Sequence, residues 1–368
     1  MMKRDLKILV RGAGDIASGI IWSLAYAGFN VCCTEVEKPS TIRTEVAFSS
    51  AIYDGKKILG GVECVLCEGS HSSPVRTVGA SYMSAKEGAH SSPVRTVGAS
   101  YTSAKQIITN DIYKCWEEKK VALIIDQDAK ILDEIKFDVV VDAILAKKNL
   151  GTKIDMAPFV IGVGPGFTTN VDCHIAIETM RGHNLARIIV DGSPMKNTGV
   201  PGLIAGHSSD RVIHSPATGI IHNIHKIGDT VKKDEVIAVI DEGSHSLPVQ
   251  EGSHSSPVRT VGASCTSAKK GSQSSPVQEG SHSSPVQTVG ASYTSAKKGS
   301  QQDGVKVCAS IDGILRGIIR DGYNVTAGLK IADIDPRLTE YENCFTISDK
   351  ARSIGGAVVT AIMHNFNS

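Results

Sequence analysis

Gly12-Ala-Gly14-Asp-Ile-Ala17 stands between an apolar run, Lys7-Ile-Leu-Val-Arg11, and a stretch with helical apolar spacing, Ser18–Ala27. This strand, glycine turn and helix is the context in which a GxGxxA sequence binds a nucleotide. Gly12 permits the tight turn, Gly14 lets a phosphate approach the backbone, and Ala17 allows close helix–strand packing. The helix start adds free N–H groups and the positive end of a dipole. Glu35 follows Gly14 by 21 residues, at the end of the next strand, where an acid takes ribose hydroxyls. Asp15 puts a negative charge beside the same phosphate position. The alternative is a Rossmann-like turn that binds no nucleotide.

Two further strand ends carry polar groups, where ligands of such sheets collect. In Asp142-Ala-Ile-Leu-Ala-Lys147-Lys148-Asn149 the lysines either pair with phosphate or carboxylate or sit in a solvated turn. Gly162-Val-Gly164-Pro-Gly166-Phe-Thr168-Thr-Asn170 precedes a predicted helix over about 171–180. It reads as a second anion cradle or as a glycine turn capped by Asn170. No Gly-Lys-Ser/Thr follows, so it is not a Walker A loop. On the predicted helix His174 and Glu178 share a face, followed by Arg181 and His183. A His–Glu pair orients a general base, supplies two metal ligands, or makes a surface hydrogen bond. Two ligands are not a metal site, so none is assigned. The candidate catalytic residues are therefore Asp142, Lys147, Lys148, His174, Glu178 and Arg181. The candidate cofactor-binding residues are Gly12, Gly14, Ala17, Glu35, Gly162, Gly164, Gly166 and Thr168.

These residues need a frame. Strands are predicted at 7–11, 31–34, 121–125, 138–143 and 159–163, with a hairpin of 56–59 and 62–66 around Gly60-Gly61 and helices at 107–118 and 129–135. Alternating strands and helices make a doubly wound, mostly parallel α/β sheet. Residues 212–241 and 306–335 repeat one another at a constant offset of 94, pairing Gly219 with Gly313, Ile224 with Ile318, Gly228 with Gly322 and Asp241 with Asp335. Each copy resembles half of a biotinyl/lipoyl-type barrel-sandwich hybrid. Lys306 lacks the flanking residues and spacing of a carrier lysine, so covalent biotin or lipoate is not expected. Ser348 is a plausible cap for a final amphipathic helix. The expected domains are a Rossmann-like unit (1–205), a barrel-sandwich hybrid (206–337) and a C-terminal helix packing back (338–368).

A 19-residue phrase, EGSHSSPVRTVGASYMSAK at 68–86, recurs in two blocks, 68–105 and 242–302. It has no apolar period and little to bury, so both blocks are expected to be disordered insertions in their domains. They carry +4 of the formal charge; the whole chain of 368 residues has +1, leaving a slightly acidic body. No basic stripe with interleaved aromatics marks a nucleic-acid surface, and no apolar run suits a membrane span. Nine scattered cysteines and no export signal fit a reducing cytoplasm. Cys64-x-x-Cys67 alone lacks the further ligands of a zinc site.

Several segments together resemble the YqeB family of accessory proteins of selenium-dependent molybdenum hydroxylases. They are RGAGDIASG (11–19), EVEKPSTIRTEVAFSSAIYDG (35–55), VDAILAKKNLGTK (141–153), APFVIGVGPGFTTNVDCHIAIETMRGH (157–183), NTGVPG (197–202), GILRGIIRDG (313–322), GLKIADIDPR (328–337) and SDKARSIGGAV (348–358). The N-terminal part is also similar to the Rossmann-like domain of maturation chaperones of those enzymes. The resemblance implies a role in their maturation or cofactor supply, with the hydroxylase apoenzyme or its maturation machinery as partner. It brings no reaction and no catalytic residues. Three functions stay open: an accessory protein binding a nucleotide or phosphorylated, molybdopterin-like ligand; an NAD-dependent oxidoreductase using the same turn; and a scaffold whose turn is empty.

Overall fold

The computed structural model of the protein describes residues 5–67, 104–199, 202, 204–243 and 304–367. The repeat blocks and their expected disorder lie outside these residues, apart from 104–105 and 242–243.

The apolar run forms β1 (Lys7–Arg11), in which every residue after Lys7 is buried, as a central parallel strand requires. Ile8 and Val10 face one core and Leu9 the other. α1 (Asp15–Tyr26) returns along the first face, burying Ala17, Ile20, Ile21 and Leu24. It stops at Gly28, whose φ of +88° is the left-handed conformation glycine adopts without strain. β2 (Asn30–Glu35) then pairs parallel with β1. A short helix, α2 (Ala51–Asp54), leads into the hairpin of β3 (Lys56–Leu59) and β4 (Val62–Leu66). α3 (Ala104–Glu117) covers the opposite face with Ile112, Cys115 and Trp116 and feeds β5 (Val121–Ile125). β6 (Val139–Asp142), β7 (Phe159–Val163), β8 (Ile175–Ile177) and β9 (Ile188–Ile189) complete a nine-stranded sheet, ordered β3-β4-β5-β2-β1-β6-β7-β8-β9. It is parallel from β4 to β8 and antiparallel at both edges. Strand order reverses at β1, so the crevice beyond the carboxyl ends of β1 and β6 is the expected ligand position.

One predicted element is corrected. Residues 171–180 form a turn and a strand, not a helix. Asn170 adopts a φ of +62°, the Asp172 carboxylate accepts the Thr168 N–H at 2.8 Å, and Ile175, Ala176 and Ile177 are buried in β8 beside β7. Ile-Ala-Ile satisfies either period over so few residues, and pairing with β7 decides between them. The predicted helix at 129–135 shrinks to a 3₁₀ turn, Lys130–Asp133.

The 94-residue repeat forms two four-stranded antiparallel sheets. The first copy supplies β10 (Val212–His214), β11 (Gly219–Asn223), β12 (Thr230–Val231) and β13 (Val236–Asp241). The second supplies β14 (Val305–Cys308), β15 (Gly313–Ile318), β16 (Asn324–Val325) and β17 (Lys330–Asp335). The sheets run β10-β17-β15-β12 and β14-β13-β11-β16, so exchanging the copies converts one sheet into the other. Ile221, Ile237, Leu315 and Ile331 belong to their common core.

α4 (Asp349–Asn367) begins at Ser348, whose Oγ accepts the Ala351 N–H at 3.2 Å. It runs parallel to α1 at very close range. A Cβ on Gly19 would lie 2.6 Å from the Ala351 backbone, and one on Gly355 2.5 Å from the Gly19 carbonyl. Small residues at these positions let the two backbones touch, and both helices start at the same end of the molecule. Among the described residues no helix is long and apolar enough to cross a membrane.

Candidate functional site

A cavity of about 570 Å³ lies where the parallel sheet, the first antiparallel sheet and α4 meet. Gly14, Asp15 and Ile16 at the start of α1 form one side, with Thr41, Ile42 and Arg43 from the loop after β2. Leu145 and Lys147 follow β6, Pro165 follows β7, and Glu178–Arg181 follow β8. Arg211, Arg316, Lys330 and Asp333 close it from the antiparallel sheet, and Ser348 and Lys350 from α4. The cavity thus occupies the carboxyl ends of the parallel strands and receives the N-termini of two helices.

Its walls are cationic. Arg43, Lys147, Arg181, Arg211, Arg316, Lys330 and Lys350 face Asp15, Glu178 and Asp333. Asp333 is almost fully buried and shared by two arginines, bonding Arg211 through one oxygen and Arg316 at 3.2 Å through the other. Arg316 sits in a β-bulge between Leu315 and Gly317, which re-aims its side chain. Arg43 lies 3.5 Å from Asp15 and donates to the Asn343 carbonyl at 2.8 Å. Arg181 holds Asp349 with two bonds of 2.8 and 2.9 Å, pinning the start of α4 and keeping that carboxyl well below its usual pKa. Arg43 and Arg211 are 5% and 7% exposed, and the Nε of each has no hydrogen-bond partner among the described residues. Burial pushes the Lys330 and Lys350 ammonium groups below their ordinary pKa; Arg211 and Arg316 push Lys330 further down and Arg181 does so for Lys350. No ion pair joins Lys147, Lys330 or Lys350 to an acid among the described residues.

The glycines of the first turn have different roles. Gly12 takes a φ of +96°, and a Cβ there would press to 2.9 Å on the Ala143 carbonyl, so packing alone demands glycine. Gly14 has an ordinary φ of −66°, and a Cβ would meet only Thr41 Oγ1 at 3.6 Å. Neither backbone nor packing requires glycine at 14; it borders the cavity. Ala17 is buried on the inward face of α1. Glu35 is turned away from any ribose: its oxygens accept the Ala13 and Val36 N–H groups, each at 2.9 Å, and burial raises its pKa. It braces the turn from behind.

The remaining sequence candidates separate. Lys147, Glu178 and Arg181 border the cavity, whereas Lys148 does not. Asp142 faces Arg11 on the neighbouring strand at 3.5 Å in a buried network with Thr152, outside the cavity; burial raises its pKa. His174 and Glu178 flank the two ends of β8, so the proposed pairing on one helix face does not exist. His174 Nδ1 instead accepts the Val160 N–H at 2.9 Å. Glu178 is buried, and its carboxylate accepts the Thr179, Met180 and Met195 N–H groups, each at 2.7 Å. It ties two cavity loops together. The run 162–170 is not the start of a helix, so it lacks the amide array of an anion cradle, and Asp172 already takes the Thr168 amide. A Cβ on Gly162 would strike Phe167 at 2.4 Å and one on Gly166 the Lys148–Asn149 backbone at 2.8 Å, while Gly164 abuts Thr179. Those glycines serve packing.

Arg43, Arg211, Arg316, Lys330, Asp333 and Lys350 escaped the sequence reading. For Arg211, Arg316, Lys330 and Asp333 the repeat held the signal. At the offset of 94, Arg316, Lys330 and Asp333 correspond to His222, Val236 and Val239, and Arg211 to Val305. The copies agree where they build the core and diverge in charge at the cavity, where the second copy carries Arg316, Lys330 and Asp333 and the start of the first carries Arg211.

No family model matches the chain. It is 35% identical over 356 residues to the protein YqeB of Escherichia coli (strain K12), covering 97% of this chain and 47% of that protein. The chain therefore spans about half the length of this relative. Among solved structures, the product-bound ectoine utilization protein EutE (DoeB) from Ruegeria pomeroyi aligns with a TM-score of 0.23 at 11% identity, over 90% of this chain and 86% of that one. A succinylglutamate desuccinylase/aspartoacylase from Rhodobacter sphaeroides aligns with a TM-score of 0.18 at 14% identity, over 56% and 60%.

Proposed function

The chain belongs to the YqeB family, and from that premise we propose that it binds a phosphorylated small molecule in the cationic cavity, as a cytoplasmic accessory protein of selenium-dependent molybdenum hydroxylases. One observation carries the binding half: seven cationic side chains line a cavity with only three acids, at the strand ends where ligands of doubly wound sheets sit. Cationic walls and two helix N-termini attract an anion and repel a cation. The volume falls in the usual range of small-molecule sites, about 300–1,000 Å³. The two antiparallel sheets, read as a barrel-sandwich hybrid, supply three of the seven cations through the sheet of β10, β17, β15 and β12, and dock the partner hydroxylase or its maturation machinery.

A molybdopterin nucleotide suits the donor set: Arg211, Arg316, Lys330 and the amides after Gly14 would hold its phosphates. NAD suits it less well. Glu35, the acid in sequence position for the ribose, is committed to backbone N–H groups.

Native mass spectrometry of the freshly purified protein, with analysis of the denatured extract, tests this reading. The expected result is a phosphorylated adduct on the wild type, or uptake of one on challenge with nucleotides and molybdopterin nucleotides. Gly14→Asp has room to fold and puts a carboxylate into the cavity, so it should abolish the adduct. A protein that takes up no phosphorylated compound is the scaffold alternative, and the binding reading falls.

A further inference from the structure

The charge balance of the cavity goes further, to the class of ligand. That class follows only if the cavity binds an anion as proposed above. Of the seven cations at the cavity, Arg181 is matched by Asp349 and Arg43 by Asp15, while Arg211 and Arg316 share Asp333. Glu178 adds a fourth acid, its charge already spread over three backbone N–H groups. Seven cations against four acids leave an excess of three, and three lysines, 147, 330 and 350, have no ion-pair partner among the described residues. They come from separate elements: the loop after β6, strand β17 and the first turn of α4.

The helices add to this excess. Each N-terminus presents about half a positive charge. α1 and α4 lie parallel, with Gly19 against Ala351 and Gly355 against Ser23, so both positive ends open on the same cavity. Parallel dipoles in contact repel. An anion at their shared end turns that repulsion into attraction for both. The buried Arg43 and Arg211, each with an Nε lacking a partner among the described residues, line the same space.

One phosphoryl group brings about −1.5 to −2 and leaves part of the excess uncompensated. Two phosphoryl groups match it. We infer that the cavity takes a diphosphate, bridged by Lys330 and Lys350 across the helix N-termini, with Lys147 at its outer end. Ile42, Leu145, Pro165, Met180 and Met195 form an apolar wall beside these cations, which an inorganic pyrophosphate would leave uncovered and the organic part of a diphosphate ester would cover.

Isothermal titration of the full chain with inorganic phosphate, pyrophosphate, AMP and ADP tests this. Pyrophosphate should bind at least tenfold more tightly than phosphate, and ADP at least tenfold more tightly than AMP where the nucleoside is accepted. Lys330→Gln and Lys350→Gln should each weaken pyrophosphate binding about tenfold, with unfolding curves confirming the fold, and Lys148→Gln, outside the cavity, should leave it unchanged. ADP tighter than pyrophosphate identifies an organic diphosphate; the reverse order identifies free pyrophosphate. Equal affinity for phosphate and pyrophosphate overturns the diphosphate inference and leaves the anion site standing. An equal loss in Lys148→Gln also overturns it, since the binding would then be diffuse surface attraction. Failure of all four probes on a folded protein overturns the diphosphate inference, while the binding reading falls only if the adduct measurement above also finds no phosphorylated compound.

Discussion

Replacing Glu178 by glutamine tests whether this residue positions the cavity wall. Its carboxylate accepts three N–H groups at 2.7 Å, two from the next residues and one from Met195, seventeen positions on. A glutamine oxygen at the Oε1 position can keep the Thr179 and Met180 bonds. Its NH₂ then points at the Met195 N–H, donor against donor, and that bond is lost. Hydrogen bonds to a charged group contribute about 1.5–3 kcal/mol against roughly 0.5–1.5 for neutral ones. Neutralising the acceptor therefore costs about 1 kcal/mol for each retained bond and more for the lost one, offset in part by the cheaper burial of a neutral amide. The expected net loss is about 2–3 kcal/mol, which for a domain of this size lowers Tm by roughly 4–12 °C. Thermal unfolding measures the loss, and hydrogen exchange should quicken at 192–198, the loop the carboxylate tethers. A Gln variant within ~0.5 kcal/mol of wild type, with unchanged exchange in that loop, would refute the tether.

Three other outcomes are expected. Asp142→Ala strands the buried Arg11 guanidinium, whose Nε already has no partner among the described residues, and should cost about 3–5 kcal/mol; a loss below ~1 kcal/mol in urea unfolding would contradict a structural role for that pair. Gly19→Ala forces a methyl to within 2.6 Å of the Ala351 backbone, so α4 must shift at a cost of about 1–3 kcal/mol; an unchanged Tm would mean that the helices are not in contact. Lys330 and Lys350 have depressed folded-state pKa values, Lys330 among Arg211, Arg316, Asp333 and Asp15, and Lys350 among Arg181, Asp349, Asp15 and Glu178. The folded state binds fewer protons than the unfolded one between the depressed values and about 10.4, so ligand-free stability should rise with pH through that window. The Lys330→Met, Lys350→Met double variant should flatten that rise, and an unaltered pH profile would count against it.

Much of the parallel sheet was legible because its strands are apolar runs closed by glycine or polar residues. Lys7–Arg11, Val121–Ile125, Phe159–Val163 and the hairpin about Gly60-Gly61 have their predicted bounds. Ile175–Ile177 was misread because three apolar residues fit both periods, and only the neighbouring strand decides. The glycine turn was legible as a turn, but the orientation of Glu35 was not: whether a carboxylate faces a ligand or its own backbone depends on a rotamer, not on spacing. The cationic wall was hidden for another reason. Arg211, Arg316 and Lys330 sit on or beside short strands and a bulge about two hundred residues or more from the glycine turn, and docking of the antiparallel sheet brings them there; Arg43 and Lys350 come from a loop and from the first turn of α4, whose place at the cavity no local pattern announces. For Arg316, Lys330 and Asp333 the signal lies in the differences between the two copies of the repeat, not in their matches.

The most direct measurement is a crystal structure of the protein grown with pyrophosphate. An anion-binding cavity predicts two phosphoryl groups between the start of α1 and the start of α4, in contact with Arg316, Lys330 and Lys350. Clear density for those side chains around a cavity without phosphate, at a pyrophosphate concentration that saturates binding in solution, would contradict it.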